Sequence, residues 1–244
     1  MLRLMRNARL IAVAAAIVGG SMWTALPARA SDAGKIDGYV TPYYNSAGPV
    51  VRVGKYSAGL ASSNESQLVA TTRQMSKRWN QLNFVELYVG ATRLYDMGYR
   101  NEATYWFYTA QYRGRLFAAL IDQKKMGTIG SPGFELYHAE DAFPQLAGPN
   151  VNGYAFGNID SLMKVIRQVQ HENRNVPNMT ATYPGVSFIG KSQWNAKNQE
   201  LNSGLSKFSV FVVGQKAQIA SQRSQNGTQA RFAHLTSKRF PGGF

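Results

Sequence analysis

The sequence predicts a mainly α-helical protein, a helical-hairpin bundle carrying an irregular or β-hairpin N-terminal arm. Three observations carry this expectation. From Ser62 onward, apolar residues recur at intervals of three and four, which places them on one face of a helix. Side chains suited to helix N-caps precede several of these stripes, and glycines follow them. Only residues 31–62 hold short β-prone runs around turn residues instead.

Residues 1–30 have the layout of a secretory signal peptide. Arg3, Arg6 and Arg9 supply the positive start, Leu10 to Val18 the apolar run, and Ala28-Arg29-Ala30 the small-x-small cleavage pattern. Cleavage is expected between Ala30 and Ser31. The apolar run is short for a bilayer, which needs ~20 residues. Four arginines leave with the peptide, so the formal net charge falls from +14 to +10. No second long apolar run follows, so no transmembrane anchor is expected after cleavage.

Cysteine is absent, which excludes disulfides, thiolate nucleophiles and Cys-ligated zinc. Export without disulfides fits the periplasm of a Gram-negative bacterium first and an extracellular destination second. The Asn-x-Ser/Thr tripeptides at Asn64, Asn178 and Asn226 are common by chance in such a chain.

Residues 31–62 form the expected arm. Tyr39-Val40-Thr41 and Val50-Val51-Arg52-Val53 flank the turn cluster Asn45-Ser46-Ala47-Gly48-Pro49. A helical domain then spans residues 63–225. Ser62 and Glu65 have capping-box spacing ahead of the stripe Leu68, Thr72, Met75, Trp79, Leu82. Asn83 and Glu86 repeat that signature before Phe84, Leu87, Tyr88, Ala91, Leu94 and Tyr95, with Gly98 as the stop.

A third helix is expected over residues 100–125, with Lys124 and Lys125 in its last turn. Residues 127–158 are rich in Gly, Pro and Asn and read as a connection holding one short helix over 133–143. Asn158 should cap a fourth helix bearing Ile159, Leu162, Met163, Ile166 and Val169. A last helical stretch covers residues 192–221, with Gly204 as its weak point. Residues 226–244 read as a flexible basic tail.

The segment over about residues 84–117 resembles a tetratricopeptide-type helical hairpin. The family spacing of glycine, alanine, aromatic and alanine falls on Gly98, Ala103, Phe107 and Ala110. Ala91 and Leu94 match the small and large positions of the first helix, while Arg115 stands near the family's closing proline. The resemblance implies two helices meeting through small residues, and a protein- or peptide-binding surface without catalysis. No second copy follows, and a solenoid needs at least ~3 units. One such hairpin inside a non-repetitive bundle is therefore expected.

Catalytic and metal motifs fail on their companions. Glu135-x-x-His138 lacks the second pair and further glutamates of a di-iron site, so an acidic patch on a connection is the simpler account. Ser161-x-x-Lys164 lacks a downstream Lys-Thr/Ser-Gly. His138, His171 and His234 share no ligand spacing, and no cofactor is expected. Dispersed carboxylates of a polysaccharide or peptidoglycan hydrolase stay open, with Glu86, Glu102, Glu135 and Asp141 as candidates.

Two surfaces point to contacts instead. Tyr105, Tyr108 and Tyr112, flanked by Arg100, Arg113 and Arg115, read as a partner-binding face, since interfaces favour aromatic and arginine anchors. Against that reading, a helix buried on several sides would also carry this run. Lys207, Lys216, Arg223, Arg231, Lys238 and Arg239 form a basic segment in which residues 191–244 hold eight basic side chains against Glu200 alone. Such charge attracts an acidic protein surface or anionic envelope polymers. Nucleic acid is a poor partner for an exported chain.

The expected function is thus an exported, non-enzymatic protein-binding module of the periplasm. An immunity protein against a periplasm-acting toxin fits, as does an assembly adaptor. The alternatives are the envelope hydrolase and a structural, envelope-associated basic protein.

Overall fold

The computed structural model describes residues 32–36 and 54–242. The signal peptide, its Ala30–Ser31 junction and the proposed hairpin over residues 39–53 lie outside the described residues. The described part is mainly helical and contains no strand; an isolated bridge joins Ile121 and Phe188.

The end of the expected arm is helical, with a 3-10 turn at Gly54–Tyr56 running into α1, Ser57–Ala61. Leu60 is buried there. Helix α2 follows at Glu65–Ser76, and its cap is Asn64, which accepts from Gln67 N at 3.1 Å. Ser62 sits two residues further out, where its hydroxyl accepts from Asn64 N at 3.0 Å and donates to Gln67 Oε1 at 2.7 Å. Leu68, Thr72 and Met75 bury the expected face.

Helices α3, Phe84–Asp96, and α4, Arg100–Leu120, form the central hairpin. The capping box is complete: Glu86 N donates to Asn83 Oδ1, and Asn83 N to Glu86 Oε2, each at 2.8 Å. Two amides without helical partners are satisfied this way. Gly98 ends α3 at φ +89°, a conformation that costs a side-chain-bearing residue about 1 kcal/mol or more. The hairpin closes tightly because α3 offers Gly90 to the Trp106 ring. A Cβ at Gly90 would stand 2.5 Å from that ring.

Helix α4 packs against α3, α5 (Pro132–Ala155), α6 (Ile159–Glu172) and α8 (Trp194–Gly214). It is therefore buried around nearly its whole circumference, with Trp106, Phe107, Ala110 and Phe117 at zero exposure. Fully burying a large apolar side chain contributes about 1.5–3 kcal/mol. The helix stops at Leu120, earlier than expected. Ile121 turns extended, and Lys124 and Lys125 belong to a separate 3-10 turn, Gln123–Lys125.

The largest departure is α5. The region read as a connection with one short helix is a continuous helix that runs through Pro144 and Pro149. An interior proline costs about 3 kcal/mol. The stripe Phe143, Ala147, Val151, Ala155, at helical spacing, is buried and offsets that cost by tertiary packing. Asn158 caps α6 as expected, accepting from Ser161 N at 3.0 Å.

A short helix, α7, occupies Met179–Thr182. The C-terminal helical stretch breaks at Gln215, not at Gly204, into α8 and α9, Lys216–Gln225. Gly227, at φ +73°, then leads into α10, Thr228–Ala233.

Both ends of the described chain are docked on the central hairpin. Residues 32–36 are held where Asn150 Nδ2 donates to Lys35 O at 2.5 Å and Tyr95 OH donates to Ala33 O at 2.8 Å. The expected flexible tail is instead a strap. Lys238 N donates to Gly98 O at 2.8 Å, and Asn101 N donates to Ser237 Oγ at 3.0 Å. Phe240 is buried edge-on against Tyr99, with ring centroids 5.3 Å apart.

Candidate functional site

The tyrosine–arginine face read from the sequence is not a surface. Tyr105, Tyr108, Tyr112 and Arg113 are between 3% and 9% exposed. Tyr105 stacks on Trp79, with centroids 5.2 Å apart and planes 16° from parallel. Its hydroxyl donates to Glu172 Oε2, which also accepts from Trp79 Nε1 at 2.9 Å. Tyr108 OH donates to Asn152 Oδ1 at 2.8 Å. Tyr112 OH donates to Asn198 Oδ1 at 2.7 Å and accepts from Asn202 Nδ2 at 2.6 Å. Burial raises all three phenol pKa values above their ordinary range.

Arg113 is the hub of this interior network. Its Nη1 donates to Trp79 O at 2.6 Å and Leu82 O at 3.2 Å, and its Nε to Asn173 Oδ1 at 3.2 Å. The guanidinium also lies over the Trp79 ring at 5.4 Å. Arg100, half-buried, holds the chain ends: Nη1 donates to Thr236 O at 2.5 Å and Nη2 to Gly34 O at 3.4 Å. Arg115 is half-buried on α4. Apart from Arg115, these side chains join elements of the fold to one another.

The basic segment is also divided. Lys216 pairs with Asp160 at 2.8 Å, and Lys238 with Glu65 at 2.8 Å. Arg231 lies over the Phe232 ring at 5.2 Å. Lys207 and Arg239 are exposed, whereas Arg223 is only 5% exposed.

What the sequence reading missed lies on α8. Val210, Phe211 and Val213 are 75%, 40% and 56% exposed. They are three of the five large apolar side chains classed as exposed among the described residues, so the exposure is concentrated on one helix end. Lys207 precedes Val210 by three residues and Phe211 by four, which puts all three on one helix face. Lys216 opens the next helix. One signal was readable: four consecutive apolar residues, Val210 to Val213, cannot all face inward on one helix. Val212 takes the inward position, with zero exposure.

A cleft opens beside this region. Cavities of about 440 and 220 Å³ meet at Gly157, Asn158, Arg223 and Gln229. Ser161 and Lys164, the pair weighed as a nucleophile motif, line the larger one at the start of α6. None of the carboxylates Glu86, Glu102, Glu135 and Asp141 lines either cavity. Glu86 caps α3, Glu102 accepts from Trp106 Nε1 at 2.9 Å, and Glu135 accepts from Gly130 N at 2.8 Å. Desolvation raises the Glu86 pKa even though its cap hydrogen bond opposes the shift.

His138 packs on Phe134, with centroids 4.3 Å apart, and His171 bonds Arg174. Among the described residues no cluster of three or more His, Asp or Glu side chains could hold a metal. No helix among them is long and apolar enough to cross a membrane. Comparison with known proteins finds no family model, curated protein or solved structure that matches this chain.

Proposed function

We propose that the chain is an exported, non-enzymatic protein-binding module of the periplasm, engaging a partner through the exposed end of α8. The observation that carries the reading is the cluster Val210, Phe211 and Val213 beside Lys207. Concentrated exposed apolar side chains with a polar rim mark association surfaces on small proteins. The basic excess of residues 191–244 favours a partner with an acidic surface, or an anionic envelope polymer at its rim. An immunity protein against a periplasm-acting toxin and an assembly adaptor both work in this way.

The α3–α4 hairpin supports a tetratricopeptide-type reading of the scaffold. Gly98, Ala103, Phe107 and Ala110, the four residues of the family spacing, are all buried. The docking face we propose is the end of α8 and not this hairpin.

The test is a paired substitution, Val210→Asp with Val213→Asp, in the mature chain. Partner recovered from envelope extract should fall at least tenfold, about 1.4 kcal/mol of binding. The thermal midpoint should stay within about 2 °C of the parent. Equal recovery from parent and variant would sink the reading.

A further inference from the structure

Arg223 is buried, with no carboxylate partner among the described residues. It projects from α9 into the junction of the two cavities. Its Nε donates to Gln229 Oε1 at 3.4 Å, and among the described residues no ion pair reaches it. Arg113, equally buried, is satisfied by three neutral oxygens, whereas Arg223 has one long contact to Gln229 for a guanidinium whose hydration is costly to remove. Desolvation accordingly pulls the Arg223 pKa below its ordinary value.

The surroundings are arranged for a negative charge. Among the described residues no Asp or Glu lines the larger cavity, while Lys164 does. Asp160, at the smaller cavity, is held by Lys216 at 2.8 Å. The first turn of α6 opens here; Asn158 already caps the Ser161 amide, but the helix dipole still favours an anion. Gly157 lets the guanidinium lie close to the backbone: a Cβ there would stand 3.4 Å from Arg223 Nη2 and 3.0 Å from Tyr154 O. The lining also includes the apolar side chains Leu162, Val165, Phe232 and Leu235.

We propose that this cavity binds a small amphipathic anion, its carboxylate or phosphate head on Arg223 and Lys164 and its apolar body against Leu162, Val165, Phe232 and Leu235. The volume of about 440 Å³ suits a single such molecule. The site is separate from the α8 face, so failure of the partner reading would leave it standing.

Titration of the purified mature chain tests it, using octanoate, octyl phosphate, 1-octanol and inorganic phosphate as probes. Octanoate or octyl phosphate should bind saturably at one site, at least tenfold tighter than either 1-octanol or inorganic phosphate. The ratio between the two amphiphiles tells the carboxylate source from the phosphate source. Amide shifts should centre on residues 157–165 and 223–235. Arg223→Gln should weaken binding at least tenfold. Lys164→Gln, at an exposed position, should weaken it about threefold with an unchanged thermal midpoint, which separates binding from folding. Three results would overturn the proposal: no saturable amphiphile binding, inorganic phosphate binding as tightly as the amphiphiles, or Lys164→Gln and folded Arg223→Gln both binding like the parent.

Discussion

Helices α4 and α8 are of equal length, and each carries aromatic, apolar and basic residues, yet they do opposite work. Helix α4 is enclosed by α3, α5, α6 and α8, and its tyrosines all find partners inside the fold. Helix α8 lies at the edge, with Trp194, Asn198 and Val212 as its buried residues and its C-terminal apolar cluster bare. The difference shows that side-chain type does not decide interface or core. The number of neighbouring elements does, and residue spacing does not report it. A tyrosine serves an interior position as readily as a surface one, provided its hydroxyl is bonded.

Substitutions on the two helices should break this symmetry in size. Trp106→Ala removes a fully buried ring packed on Gly90 and should cost about 3–5 kcal/mol in denaturant unfolding. Arg113→Met keeps much of the volume but takes the Arg113 donor from Leu82 O and leaves Trp79 O with Leu82 N alone, at 3.3 Å. A loss of about 3 kcal/mol is expected by the same measurement. If it proves neutral, the network is decoration on the core and not part of its stability.

The strap sharpens the contrast, because it covers the end of α4 that the other helices leave open. Lys238 and then Tyr99 hydrogen-bond Glu65 and hold its carboxyl below the ordinary 4.5. The folded-state pKa is depressed, so this contribution is present above about pH 4.5 and is lost as pH falls through the lowered value. Amide protection factors of residues 236–240, which correct for the intrinsic pH dependence of exchange, should therefore fall as acid is added below pH 4.5, before those of the core. Glu65→Gln should abolish that pH dependence. The smallest effect belongs to α8: the Val210→Asp, Val213→Asp pair should change stability by no more than about 0.5 kcal/mol.

Much of the scaffold was legible because its signals are local. The Asn83–Glu86 box, the Gly98 stop and the Asn158 cap each depend on neighbours within four residues. Helix α5 was hidden by Pro144 and Pro149, whose cost is offset by packing against elements distant in sequence. The strap escaped for the same reason, since Phe240 meets Tyr99 and Lys238 meets Glu65 only in the folded chain. The site was legible only in part. The basic residues could be named, but not that Arg223 is buried with no carboxylate partner among the described residues while Lys238 is paired.

The central claim is that contacts are made through α8 and not through the aromatic helix. Site-specific photocrosslinking in the envelope tests it directly. p-Benzoylphenylalanine would be placed in turn at Val210, Phe211 and Val213, and at Ile129 as an exposed apolar control, 84% accessible. The account predicts one discrete heavier species, shared by the α8 positions and absent at Ile129. Adducts at none of the α8 positions, or the same pattern at Ile129, would contradict it.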